Sequence, residues 1–120
     1  KKRSTAFLIS DFIDSHDYFK SMSIANRKHD LAGIQIYDRR DAEMPDVGLV
    51  RLRDMETGAD IWVDTSSAKV RKKYAKDWYE RQQKLASVVN RCGVDMASIT
   101  TDEDFVKALL GLFRRRAIAR

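Results

Sequence analysis

Two stretches of strand length, Thr5-Ala6-Phe7-Leu8-Ile9 and Leu31-Ala32-Gly33-Ile34-Gln35-Ile36-Tyr37, are apolar or small at nearly every successive position rather than at alternate ones. A strand that meets water on one face alternates apolar with polar residues. A nearly unbroken run fits a strand covered on both faces, as in a parallel sheet flanked by helices. Between the runs, Tyr18, Met22 and Ala25 recur at helical spacing, with Asp14-Ser15 as N-cap and Asp17 in the first turn. The reading is a strand–helix–strand unit, whose crossover is right-handed. With 120 residues the chain is a single domain over residues 1–120, large enough for one core.

Residues 38–46 read as a charged loop holding the single proline, Pro45. Two alternating runs follow, 49–53 and 60–64, joined through Thr57-Gly58 at hairpin length. Val50 and Leu52 share a face with Ile61 and Val63, and the other face sets Arg51 and Arg53 against Asp60 and Asp64 beside Trp62. Asp64-Thr65-Ser66-Ser67 caps the longest helix, 67–91, with a stripe of Val70, Tyr74, Trp78, Leu85, Val88, Val89 and Cys92 and a C-cap at Gly93. A third, weaker strand covers 94–99. Thr101-Asp102-Glu103-Asp104 resembles a capping box for a last helix with Phe105, Val106, Leu109, Leu110, Leu112 and Phe113 on its apolar side. This order predicts an α/β chain: a partial doubly wound, Rossmann-like three-layer fold with about three parallel strands, helices and an inserted β-hairpin. The first strand is expected at a sheet edge, in want of a neighbour.

Charge narrows the function only a little. The net charge is +5, and part of it is clustered in Lys1-Lys2-Arg3, Arg71-Lys72-Lys73 and Arg114-Arg115-Arg116. Strand-binding proteins interleave aromatic stacking platforms with basic residues; these clusters have none beyond Phe113, so no nucleic acid partner is expected. One cysteine, Cys92, excludes an internal disulfide and a multi-cysteine zinc site; near a helix C-terminus it reads as an inert thiol. No apolar run reaches membrane-spanning length.

The five glycines are too scattered for a nucleotide-binding loop, and neither a Ser-His-Asp nor a Cys-His triad is signalled. His16 falls in a loop, and His29 at a helix end, where it interacts with the last carbonyls. Asp11 stands out. Open α/β sheets bind ligands beyond the carboxyl ends of their strands, and Asp11 lies there after the first run. It can cap the next helix, bond its own loop, or contact a hard cation such as Mg²⁺. Ser10 and Asp14 are its possible neighbours.

Several strings, taken together, resemble the C-terminal part of proteins of domain-of-unknown-function family 58, a branch of the von Willebrand factor A-like domains: "FLISDFID", "KHD", "YDRRDAEMPDVGLVRLRDMETG", "WVDTSS", "RCGVD" and "TDEDFVKALLGLF". The resemblance implies a doubly wound fold with a metal-ion-dependent adhesion site, of which this chain is the C-terminal half and Asp11 the carboxylate after the fourth strand. The glycine common after that carboxylate is Phe12 here, and no Asp-x-Ser-x-Ser string occurs, so Mg²⁺ is expected only in the full-length domain. The resemblance further implies a cytoplasmic, non-enzymatic adaptor or chaperone-like partner of a MoxR-type AAA+ ATPase. Arg51, Arg53 and Trp62 of the hairpin are candidate partner contacts, and the open sheet edge predicts a homodimer of the isolated chain. The alternative is a Mg²⁺-dependent hydrolase or phosphoryl-transfer enzyme using Asp11 with Asp38 or the Thr100-Thr101-Asp102 run.

Overall fold

The computed structural model describes residues 4–13, 18–54 and 57–119, with side chains through Arg116. The expected N-cap Asp14-Ser15, the first-turn Asp17, His16 and the Lys1-Lys2-Arg3 cluster lie outside the described residues, as does Arg120. The elements run β1 (Thr5–Ser10), α1 (Phe19–Lys28), β2 (Asp30–Tyr37), α2 (Arg39–Ala42), β3 (Leu49–Arg53), β4 (Asp60–Asp64), α3 (Ala68–Arg91), β5 (Asp95–Thr100) and α4 (Phe105–Ala119). Strands β1, β2 and β5 form a parallel sheet in that order, and β3 and β4 pair antiparallel as a separate hairpin. The chain is the α/β fold read from the sequence.

Alternation along the strands sends side chains into two cores. Leu31, Met22, Val89, Cys92 and Val94 are buried between the sheet and α1 with α3, joined by Ala6 and Leu8 of β1. On the opposite face Ala32, Ile34, Ala97 and Ile99 meet Leu112 of α4. Full burial of each larger side chain, Leu, Ile, Val or Met, gives roughly 1.5–3 kcal/mol. Helix α3 ends in a Schellman motif: Gly93 adopts φ 70°, its N–H donates to the Asn90 carbonyl, and the Val94 N–H donates to the Val89 carbonyl. Arg115 and Arg116 of α4 reach back to the amino ends of the strands, where Arg115 lies 3.4 Å from Asp95 and Arg116 pairs with Asp30.

Four expectations need correction. Strand β1 is not covered on both faces. It is an edge strand whose Phe7 and Ile9 lie on the α4 side and remain 43% and 60% exposed, because α4 sits over β2 and β5 instead. The apolar side of α4 is likewise split: Leu112 is fully buried and Ala108 and Leu109 partly, whereas Phe105, Val106, Leu110 and Phe113 are exposed. Residues 38–46 are not simply loop. Asp38 accepts the Arg40 N–H and Asp41 accepts the Asp38 N–H, a reciprocal box that winds the single turn of α2. Before α4 the expected box is replaced by two local bonds, Val106 N–H to Asp104 and Thr100 N–H to Glu103.

The hairpin has the expected register, Val50 opposite Val63, Leu52 opposite Ile61 and Arg53 opposite Asp60. It stands clear of the sheet, so the molecule is elongated at 53 × 30 × 18 Å. Its radius of gyration is 17.0 Å, against roughly 14 Å for a compact domain of this length. The base is fastened by polar contacts. Thr65 is 1% exposed; its hydroxyl donates to the Gly48 carbonyl and accepts the Val47 N–H. Arg71 donates to the Thr65 carbonyl at 2.7 Å and faces Asp46 at 3.5 Å.

Candidate functional site

At the carboxyl end of β1 the backbone turns sharply through Ser10-Asp11-Phe12-Ile13. The Phe12 N–H donates to the Ser10 hydroxyl at 3.1 Å and the Ile13 N–H to Asp11 Oδ1 at 3.2 Å. Phe12 itself has φ 55°, the left-handed region, which costs a non-glycine residue about 1–2 kcal/mol. Its ring offsets part of that cost by packing edge-to-face on Tyr18, with centroids 5.7 Å apart, against the α1/α3 core. Of the three roles open to Asp11, loop bonding is the one the structure displays. Its carboxylate is exposed and keeps its second oxygen beyond that bond.

Ser10 and Asp11 offer hard oxygen atoms, the donors that Mg²⁺ takes. Among the described residues no three or more His, Cys, Asp or Glu side chains come together as a metal group. Asp11 and Ser10 therefore fit one corner of an octahedral set and do not complete it. Asp14, the other candidate neighbour, lies outside the described residues.

The residues nominated for phosphoryl transfer are engaged elsewhere. An open cleft of about 360 Å³ does lie beyond the carboxyl ends of β2 and β5, lined by Asp38, Arg39, Met44, Thr101 and Asp102 among others. Within it Asp38 caps α2, and Asp102 pairs with Arg39 at 3.1 Å. His29, read as a partner of helix-end carbonyls, instead accepts the Ser4 N–H on Nδ1 at 3.2 Å. Cys92 is buried against the Ser23 hydroxyl and the Phe19 carbonyl.

The hairpin face carries the other nominated residues. Arg51 stands opposite Trp62 and Arg53 opposite Asp60, and both guanidinium groups lie 3.7 Å from the Asp60 carboxylate. All three nominated side chains, Arg51, Arg53 and Trp62, are exposed. Asp64, at the end of that face, is exposed and bonded locally: Ser66 donates to it through both its hydroxyl and its N–H, which holds its carboxyl below the ordinary carboxylate range. The residue that sequence reading passed over is Gln35, an amide in the middle of the second apolar run. Its only signal was a lone polar side chain inside an otherwise apolar strand.

Fold and site together define a class: a small parallel α/β layer with a strand-end carboxylate and a protruding hairpin. The chain belongs to the family described as Protein of unknown function DUF58, which matches residues 1–84. It is 28% identical to Uncharacterized protein MAV169 of Mycobacterium avium over 116 residues, covering 97% of this chain and 68% of that protein. It is also 28% identical to Uncharacterized protein Rv1480 of Mycobacterium tuberculosis over 124 residues, covering 99% of this chain. The chain spans 38% of the length of that relative and of Uncharacterized protein Mb1516 of Mycobacterium bovis. No solved structure matches it significantly. No helix among the described residues is long and apolar enough to cross a membrane.

Proposed function

We propose that this chain is the C-terminal half of a metal-ion-dependent adhesion-type domain, a non-enzymatic adaptor that binds a protein partner, a MoxR-type AAA+ ATPase, in the cytoplasm. The observation that carries this reading is the Asp11 carboxylate, exposed on a strained turn just past the end of a parallel strand. In the full-length domain Asp11 would be one oxygen ligand of Mg²⁺, and the partner would contribute a carboxylate or other oxygen ligand. The exposed Phe7 and Ile9 of β1, of which Phe7 meets the Phe113 ring of α4 edge-to-face at 6.0 Å, support the half-domain part of the reading. A strand edge and apolar face of that kind are what a neighbouring strand and helix cover. In the isolated chain we expect a second copy to take that place, so sedimentation should reveal a dimer.

Exposed Arg51, Arg53 and Trp62 supply a further contact on the hairpin. Trp and Arg are the side chains enriched where binding energy concentrates. A protein partner is favoured over nucleic acid because Arg71, Arg115 and Arg116 are already engaged with carboxylates of this chain. The test is capture of the ATPase by the full-length protein with Mg²⁺ or with chelator, using Asp11→Ala. Loss of a charged ligand contact costs about 1.5–3 kcal/mol, so capture should weaken roughly ten- to hundredfold. Binding indifferent to both treatments would refute the metal role.

A further inference from the structure

Gln35 lies in register between Ser10 of β1 and Ser98 of β5, a polar row across the sheet one residue before Asp11. It is 1% exposed, yet every hydrogen-bonding position of its amide is used. Its Nε2 donates to Gln82 Oε1 at 2.8 Å and to the Asp11 carbonyl at 3.4 Å. Its Oε1 accepts Gln82 Nε2 at 3.0 Å and the Ser98 hydroxyl at 2.8 Å. One side chain thus ties together the Asp11 turn, both outer strands' neighbour β2, α3 and β5. Burial alone does not call for an amide here, since a pair of leucines would fill a similar volume without polar groups to satisfy. Direction is what the amide adds. Gln82 clamps the Gln35 amide in one orientation, and that orientation aims an N–H at the carbonyl of the residue preceding the left-handed Phe12.

We propose that the Gln35–Gln82 amide pair positions Asp11: Gln35 holds the Asp11 carbonyl, Gln82 holds Gln35, and together they keep the turn in the form that presents the carboxylate. The role of Asp11 as a ligand rests on the reading above; the positioning itself does not. The experiment replaces both amides at once, Gln35→Leu with Gln82→Leu, which removes the hydrogen bonds while refilling the space. NMR of the 120-residue variant reads the three-bond HN–Hα coupling of Phe12, which reports its φ, and hydrogen exchange at the Ile13 amide. The expected result is a folded protein, with Cys92 still protected from thiol reagent, in which Phe12 loses its left-handed coupling. Exchange at Ile13 rises on the order of tenfold, the effect of one lost hydrogen bond. If the double variant folds poorly, Gln82→Met keeps Gln35 and the packing while releasing the clamp, and the same two changes are expected. Ser98→Ala, which removes a bond to Gln35 remote from the turn, leaves both readouts at parental values. A folded variant with unchanged coupling and exchange overturns the proposal and leaves the pair a packing feature. In the full-length protein the double variant also raises the Mg²⁺ concentration needed for partner capture. If Asp11→Ala has no effect there, the ligand reading fails while the NMR result stands.

Discussion

The body of the molecule and its arm are held by different forces. In the body, two apolar cores sandwich the sheet, and each buried residue is one of several that contribute alike. The arm, comprising α2, the hairpin and the first turns of α3, buries little apolar surface. It is fixed by directional bonds: the Thr65 hydroxyl, the Arg71 guanidinium, the capping box of α2 and the Tyr74 hydroxyl on the Arg40 carbonyl. A two-stranded hairpin by itself is marginal in water, so these few bonds decide whether the arm keeps its place. Distributed burial gives a fold that tolerates single losses. A polar clasp gives an exposed surface with a fixed orientation, at the risk that one substitution frees it. The longest string in the family resemblance, residues 37–58, and the run 62–67 both map to the arm and its clasp.

The largest test of this contrast is Leu112→Ala. Leu112 of α4 is 0% exposed against the sheet, and such truncations cost about 2–5 kcal/mol. Chemical denaturation should register that loss, and amides of β2 and β5 should exchange faster. Amides of the hairpin should not, because they exchange through local opening of lower free energy. Equal acceleration in both regions would mean that arm and body open as one unit. The reciprocal test is Thr65→Val. It keeps the shape but strands the Val47 N–H, while the Gly48 carbonyl loses the hydroxyl and keeps the Thr65 N–H at 2.9 Å, at a cost of roughly 1–3 kcal/mol. Here the hairpin amides should lose protection while β2 and β5 keep theirs; a matching drop in the body's stability would break the distinction.

Sequence reading captured the two regions unequally for the same physical reason. Periodicity reports burial, so the strands, the long helices, the hairpin register and the Gly93 stop were all legible. What periodicity cannot report is which elements cover which. The apolar run of β1 read as a strand covered twice, yet Phe7 and Ile9 lie open on the α4 side because coverage depends on where α4 lands. Val106, Leu110 and Phe113 belong to the apolar side of α4 in the sequence, and that side is only partly covered for the same reason. Polar chemistry was legible only where spacing is local. The run 64–67 reads as the cap of α3, and Ser67 is the member that caps it, three residues from its donor, Val70. Gln35 with Gln82 was not, since 47 positions separate them. Asp11 was singled out by its place after a strand, and its bond to Ile13 is a local turn. Phe12 stands where the family resemblance calls for a glycine, and it holds the left-handed backbone that a glycine adopts without strain.

The smallest expected effect lies at the far end of the clasp. Tyr74 of α3 donates its hydroxyl to the Arg40 carbonyl at 2.8 Å and so fastens α2. Burial raises its pKa above the ordinary 10.0, the nearby Asp41 charge raises it further, and Arg81 opposes both. The folded value being above the unfolded one, the neutral phenol's contribution is complete below the ordinary value and disappears as pH climbs through the raised one. A phenolate cannot donate, and it faces both a carbonyl and Asp41. The α2 amides should therefore lose protection in step with phenolate absorbance, while the sheet amides follow only their ordinary base-catalysed rate. Tyr74→Phe should cost about 0.5–1.5 kcal/mol at neutral pH and erase the alkaline step in α2. If that step persists in the phenylalanine variant, some other group releases α2 and the arm's fastening has been assigned to the wrong bond.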